Sequence, residues 1–126
     1  MSGNILAVDD DPIVLMNTSF LLEDLGYKVL SASSGKEALA LLDTGKQIDL
    51  VIADQAMPGM TGTELIKAIH KRWPAMPIVL ATGYGELPVD VVIDIKLTKP
   101  YGQAELQSAV TSAIILARMP ERVAHP

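Results

Sequence analysis

Acidic side chains directly follow two short apolar segments of the sequence. The segment Ile-Leu-Ala-Val is followed by Asp9, Asp10 and Asp11, and the segment Leu-Val-Ile-Ala is followed by Asp54. Two carboxylates about 4 Å apart repel by about 4 kcal/mol at an effective dielectric near 20. A fold that brings Asp9, Asp10 and Asp54 together therefore favours a bound cation. Oxygen ligands select hard ions, and a site with few carboxylates and room for water and phosphate suits Mg²⁺. Asp11 precedes a proline and is expected to cap a helix instead.

A hydroxyl group and an amine stand at equivalent places further along the chain. Thr82 follows the apolar segment Ile-Val-Leu-Ala, and Lys99 comes just after the last apolar segment, before Pro100. A carboxylate can attack phosphorus and form an acyl phosphate. Because such a transfer depends mainly on positioning and charge neutralisation, Mg²⁺ and Lys99 would neutralise the phosphoryl oxygens and Thr82 would donate a hydrogen bond. The residue types therefore indicate phosphoryl transfer to a carboxylate.

Strand-like and helix-like segments alternate along the chain, which is the pattern of an α/β fold. Residues 5–8, 50–53 and 78–81 are continuously apolar, as expected for strands that helices cover on both faces. Residues 28–32 form a weaker strand, and residues 93–97 alternate between apolar and polar, which is typical of an edge. The sequence predicts a five-stranded parallel sheet with right-handed crossovers.

Helix start signals separate these strands. Residues 11–12 supply an N-cap and a proline at the first helical position, and residues 34–37 and 61–64 match the capping-box pattern. A last helix is predicted over residues 103–118, and residues 83–94 leave room only for a short or irregular fourth helix. Ligands of such sheets bind beyond the carboxyl ends of the strands, where the acidic residues, the threonine and the lysine stand.

Length and composition narrow the classes of function. The 126 residues suit one domain, predicted over residues 1–119, with a disordered tail at 120–126. The absence of cysteine excludes disulfides, zinc–thiolate sites and thiol catalysis. A net charge of −5 disfavours binding to nucleic acid or anionic lipid. We expect a cytoplasmic chain, because neither a secretory signal nor an apolar stretch of about 20 residues is visible.

Taken together, these motifs resemble the receiver domain of two-component response regulators over nearly the whole chain. The resemblance implies a flavodoxin-like three-layer sandwich with strand order 2-1-3-4-5. It also implies that a sensor histidine kinase or a histidine phosphotransfer protein donates the phosphoryl group, and that a homodimer can form. The matching segments are residues 5–12 (ILAVDDDP), 49–54 (DLVIAD), 57–62 (MPGMTG), 81–83 (ATG) and 97–100 (LTKP).

The resemblance assigns roles to individual residues. Asp54 corresponds to the phosphoacceptor, and the domain is expected to assist its own phosphorylation and slow dephosphorylation. Asp10 resembles the direct metal ligand and Asp9 an acidic neighbour that acts largely through water. The remaining assignments are the backbone carbonyl of Ala56 as a metal ligand, Thr82 as the switch hydroxyl, Lys99 as the phosphate-binding lysine and a cis bond before Pro100.

Four positions depart from the family pattern or are expected to modulate the site. Lys96 stands where the family usually has a switch aromatic, which questions the usual output mechanism. Gly83 leaves the phosphate accessible. Ala56 cannot hydrogen-bond an attacking water through its side chain and Tyr84 can shield the phosphate, so we expect slow self-dephosphorylation. The segment Ala81–Tyr84 and the short fourth helix favour a receiver of the hybrid-kinase type.

Two other functions stay open at this point. Asp9 and Asp11 have the Asp-x-Asp spacing of phosphohydrolases that use an aspartyl nucleophile, although Ile13 stands where threonine or valine is usual. A receiver-like interaction module without phosphorylation is the other alternative, and the complete set of acidic, threonine and lysine residues argues against it. Glycine-rich nucleotide-binding motifs are absent from the sequence.

Overall fold

The elements that position the acidic residues are visible in a computed structural model, which describes residues 3–83 and 95–117. Strands and helices alternate along this part of the chain. The elements are β1 Asn4–Val8, α1 Pro12–Asp24, β2 Lys28–Ala32, α2 Gly35–Asp43, β3 Leu50–Asp54, α3 Gly62–Arg72, β4 Ile78–Thr82, β5 Ile95–Thr98 and α4 Gln103–Ala117.

The five strands form one parallel sheet in the order β2-β1-β3-β4-β5. The predicted flavodoxin-like order is therefore confirmed, with β5 at an edge. Every residue of β3 and β4 is buried, whereas Lys96 and Thr98 on β5 are exposed. Continuously apolar strands lie in the middle of the sheet because helices cover both of its faces there.

Helices form the two outer layers of the sandwich. On one face, Leu42 of α2 and Leu65 of α3 belong to a buried cluster with Leu6, Val51 and Leu80. On the other face, a second buried cluster joins α1 and α4 to alternate residues of the same strands; its members include Leu22, Leu106, Val110, Ile5, Ile52 and Val79. Successive strand residues point to opposite faces, so each central strand contributes to both clusters.

All three helices with start signals begin where the sequence predicts, but one of the two predicted capping boxes differs. The Asp11 side chain caps α1 by accepting from the main-chain N–H of Ile13, and Thr61 with Glu64 forms the reciprocal capping box of α3. Ser34 also caps its helix, but the Glu37 carboxylate accepts from the N–H of Ser33. The predicted reciprocal capping box at 34–37 is therefore wrong, because the carboxylate reaches one residue past the cap.

Two sequence predictions lie outside the described residues. They are the short or irregular fourth helix between residues 83 and 94 and the tail at 120–126. Within residues 3–83 and 95–117, no helix is both long enough and apolar enough to cross a membrane.

Candidate functional site

The carboxyl ends of β1 and β3 bring the predicted acidic residues together. Val8 of β1 pairs with Ala53 of β3, so the residues that follow, Asp9 and Asp54, stand side by side at the rim of the sheet. Ligand oxygens of Asp9, Asp10 and Asp54 all lie within 4.8 Å of one another. Asp9 and Asp54 are only 6% and 3% exposed, whereas Asp10 is exposed to solvent.

Main-chain hydrogen bonds hold Asp9 in this position. Its N–H donates to the carbonyl of Ala32 at 3.1 Å, and its carboxylate accepts from the N–H of Asp11 at 2.9 Å. Burial raises the pKa of the Asp9 carboxyl, and the neighbouring charge of Asp54 raises it further, although the Asp11 N–H acts in the opposite direction. The site therefore crowds negative charge into a partly buried space.

Lys99 supplies positive charge to the same space. Its ammonium group forms an ion pair with the Asp54 carboxylate and lies 3.8 Å from Asp9 Oδ2. Burial alone would lower the pKa of Lys99, but the hydrogen bond to Asp54 and the charges of both carboxylates outweigh it and raise this pKa. The Lys99 N–H donates to the carbonyl of Thr82 at 2.8 Å, and the bond to Pro100 is cis.

The other predicted residues differ in position and in exposure. Thr82 is the last residue of β4 and is buried. Ala56 is exposed just beyond β3, and Gly83 is half-buried beyond β4. Lys96 is exposed on the edge strand, paired with Leu80. Tyr84 lies outside the described residues.

Buried Gln55 holds the loop that links β3 to α3, a role that the sequence analysis missed. Its side-chain oxygen accepts from the N–H of Thr63 at 2.9 Å, and its carbonyl accepts from the N–H of Gly62 at 3.1 Å. A Cβ on Gly62 would stand 2.5 Å from the Asp54 carbonyl oxygen, so only glycine fits against the end of β3. The loop that carries Ala56 is thus fixed on both sides.

A pair of hydroxyl groups behind the carboxylates was also missed. The Thr18 hydroxyl of α1 and the Tyr101 hydroxyl lie 2.7 Å apart, and Thr18 is buried. Burial raises the pKa of the Tyr101 phenol. No local sequence signal joins them, since they are 83 positions apart.

The donor set fits a divalent cation of the hard class. Three carboxylates offer oxygen ligands, two of them from a buried rim and one from the solvent side. Among the described residues, this is the only group of three or more acidic or histidine side chains with ligand atoms close enough to share an ion. All-oxygen coordination with an open, solvent-facing side is the environment that Mg²⁺ prefers.

Comparison with known proteins identifies the family. The model of the response regulator receiver domain matches residues 5–111. The chain belongs to this family. The receiver is 37% identical over 117 residues to the transcriptional regulatory protein GlrR of Escherichia coli, with 89% of this chain covered. It is 33% identical over 116 residues to the sensor kinase CckA of Brucella abortus, with 86% of this chain covered.

Solved structures agree with this assignment. Vibrio cholerae chemotaxis protein CheY4 is 30% identical and has a TM-score of 0.81, with 90% of this chain and 99% of that chain covered. A receiver domain from Clostridium thermocellum is 32% identical with a TM-score of 0.79, covering 90% and 94% of the two chains. By contrast, the receiver spans only 26% of GlrR and 12% of CckA. Its relatives thus include both response regulators and sensor kinases, and its acidic cluster with Lys99 is consistent with phosphoaspartate signalling.

The repulsion in the acidic cluster makes a testable contribution to stability. In the presence of a chelator, Asp10→Asn should raise the free energy of unfolding by about 0.5–1 kcal/mol, because it removes one of three adjacent charges. Urea denaturation at low ionic strength measures this change, and molar salt should reduce it. Added divalent cation should stabilise the wild type more than the variant. Equal stability of the two proteins with chelator would contradict the charge-crowding account.

Proposed function

We propose that Asp54 accepts a phosphoryl group from a phosphohistidine of a sensor kinase or a histidine phosphotransfer protein, in a reaction that requires Mg²⁺. The proposal is based on one observation. The buried carboxylate of Asp54 is in an ion pair with Lys99, and its ligand oxygen lies within 4.8 Å of those of Asp9 and Asp10, close enough for the three to share a cation. A carboxylate between a lysine and a cation site suits in-line attack on phosphorus.

Each residue of the site would have its own role in the phosphoryl transfer. An Asp54 oxygen attacks phosphorus and forms the acyl-phosphate O–P bond, while the N–P bond breaks and its electron pair returns to the donor imidazole. Lys99 neutralises charge on the phosphoryl oxygens, and the Thr82 hydroxyl donates to one of them. Asp10, Asp54 and the Ala56 carbonyl would hold Mg²⁺ directly, with Asp9 acting through water. When bound, the ion would neutralise phosphoryl charge and orient the transfer.

A phosphorylation assay tests the proposal without a protein donor. With Mg²⁺ and acetyl phosphate, the wild type should gain one phosphoryl group by intact mass, and Asp54→Asn should gain none. Asp11→Asn is the matched control, because asparagine also caps a helix and the variant should be phosphorylated normally. Labelling of Asp54→Asn would contradict the assignment of the acceptor. A wild type that takes no label would favour the interaction module, and continuous turnover of p-nitrophenyl phosphate would favour a phosphohydrolase.

The exposed methyl group of Ala56 bears on dephosphorylation. It stands two residues after Asp54 and offers no hydrogen bond to an attacking water. We therefore propose that the aspartyl phosphate is long-lived, on the scale of minutes or longer. Ala56→Asn should shorten its half-life because the amide can orient water, whereas Ala40→Asn on the exposed surface of α2 should not. The half-life is measured as the loss of label after the phosphoryl donor is removed. A half-life of seconds for the wild type would contradict the proposal.

The surface beside the site suits a helix that presents the phosphohistidine. Ile13, Met16 and Phe20 on α1 are 72%, 54% and 62% exposed, although they are large apolar residues. They line a groove of about 660 Å³ that also includes Lys99 and Pro100, so the groove begins at the phosphorylation site. The spacing of three and four residues forms one helical stripe, which packs against an amphipathic partner helix.

Two exposed apolar residues give a matched test of this docking surface. Phe20→Ala should slow phosphotransfer from a phosphorylated kinase or phosphotransfer protein of the source organism by about 10-fold, because a large aromatic contact is lost. Ile115→Ala on α4, where the wild-type side chain is 55% exposed, should have little effect. Acetyl phosphate should modify both variants at the wild-type rate. Phosphotransfer that is equally fast in Phe20→Ala and wild type would place the docking surface elsewhere.

A further inference from the structure

We infer that the hydrogen bond between Tyr101 and Thr18 positions Lys99 over the buried carboxylates, which makes Tyr101 a positioning residue for the phosphorylation of Asp54. This inference rests on the proposed function, because it concerns how the Lys99 ammonium group is positioned for that reaction. Three features of the structure support it: the anchoring of the segment that carries Lys99, the burial of Thr18 and the place of Tyr101 beside the acidic cluster.

The segment of residues 99–101 is tied to the domain on both sides. On the sheet side, the Lys99 N–H donates to the Thr82 carbonyl at 2.8 Å. On the helix side, the Tyr101 hydroxyl lies 2.7 Å from the Thr18 hydroxyl of α1. Only Pro100 separates the two anchored residues, so a shift of Tyr101 is transmitted to the main chain of Lys99.

The flexible side chain of Lys99 makes this main-chain anchor important. A lysine ammonium is a point charge on a four-carbon stem with many rotamers, so its reach is set by where the main chain holds its Cα. Here the ammonium group contacts Asp54 and lies 3.8 Å from Asp9 Oδ2. The fixed segment therefore keeps the Lys99 ammonium group within reach of both carboxylates.

The partner hydroxyl is itself held inside the domain. Thr18 is 4% exposed and belongs to α1, which packs against β1 and α4. A buried hydroxyl needs a hydrogen-bond partner, and Tyr101 provides one. Thr18 and Tyr101 also line one small cavity together with Asp9 and Asp54, which places the pair directly behind the acidic cluster.

Tyr101 also connects the groove along α1 with the acidic cluster. It lines the groove with Ile13, Phe20 and Lys99, as well as the small cavity beside Asp9. A partner on the groove would thus contact the residue that holds the lysine segment. The residue types alone give no sign of this link, because it depends on the packing of α1 against the segment before α4.

Binding of fluoroberyllate, a mimic of the phosphoryl group, tests the inference. Fluorine NMR titrations with Mg²⁺ would compare the wild type, Tyr101→Phe, Thr18→Val and the double variant. Each single variant should weaken binding by about 3- to 10-fold, the effect of one lost hydrogen bond, and the double variant should weaken it no more than either single one. Thr18→Ser, which keeps the hydroxyl, should bind as the wild type does.

The Lys99→Ala background separates positioning from a general structural role. If Tyr101 acts through Lys99, Tyr101→Phe should cause no further loss of fluoroberyllate affinity in Lys99→Ala. The inference is overturned if Tyr101→Phe binds like the wild type, or if its loss of affinity persists undiminished without the lysine. Failure of the wild type to bind fluoroberyllate would instead overturn the proposed function. Urea unfolding midpoints of all variants ensure that affinities are compared between folded proteins.

Discussion

The repulsion between carboxylates at the ends of β1 and β3 is the constraint on which the site depends. Asp9 and Asp54 are buried side by side, and Asp10 adds a third charge from the solvent side. Isolated buried charges are costly, so this arrangement needs compensating positive charge. Lys99 supplies part of it by pairing with Asp54. A divalent cation would supply the rest, and the same two positive groups would then receive a phosphoryl group.

Much of the fold follows from short sequence patterns. The three continuously apolar segments are the central strands, because a parallel strand between two helical layers has no polar face. The alternation around Lys96 gave the edge strand correctly, since one side of β5 meets solvent. The strand order came from the resemblance to the family and not from the pattern, because spacing along the chain does not determine which strands are neighbours in space.

Side-chain contacts were harder to predict than elements. Glu37 was expected to close a capping box with Ser34, yet it bonds to Ser33, because its reach depends on the local path of the main chain. The acidic residues could be placed because each stands at or just after the end of a strand, and strand ends meet at one rim. Thr18 and Tyr101 carry no such marker. Their contact arises from the packing of a helix against a loop far along the chain.

The structure also relates the chemical site to the surface beside it. Helix α1 begins at the acidic rim, exposes Ile13 and Phe20 to solvent and holds Tyr101 through Thr18. Lys96 points outward on the edge strand, where a switch aromatic is usual in the family. Helix α1 and the segment that follows β5 thus line one groove that includes Lys99.

A crystal structure of the receiver with Mg²⁺ and fluoroberyllate would show directly whether the carboxylates share a cation beside Asp54. We expect fluoroberyllate bonded to the Asp54 carboxylate, one fluorine on the Lys99 ammonium and Mg²⁺ bound by Asp10 and Asp54. An ion held by other side chains, or an Asp54 that remains paired with Lys99 and carries no fluoroberyllate, would contradict it.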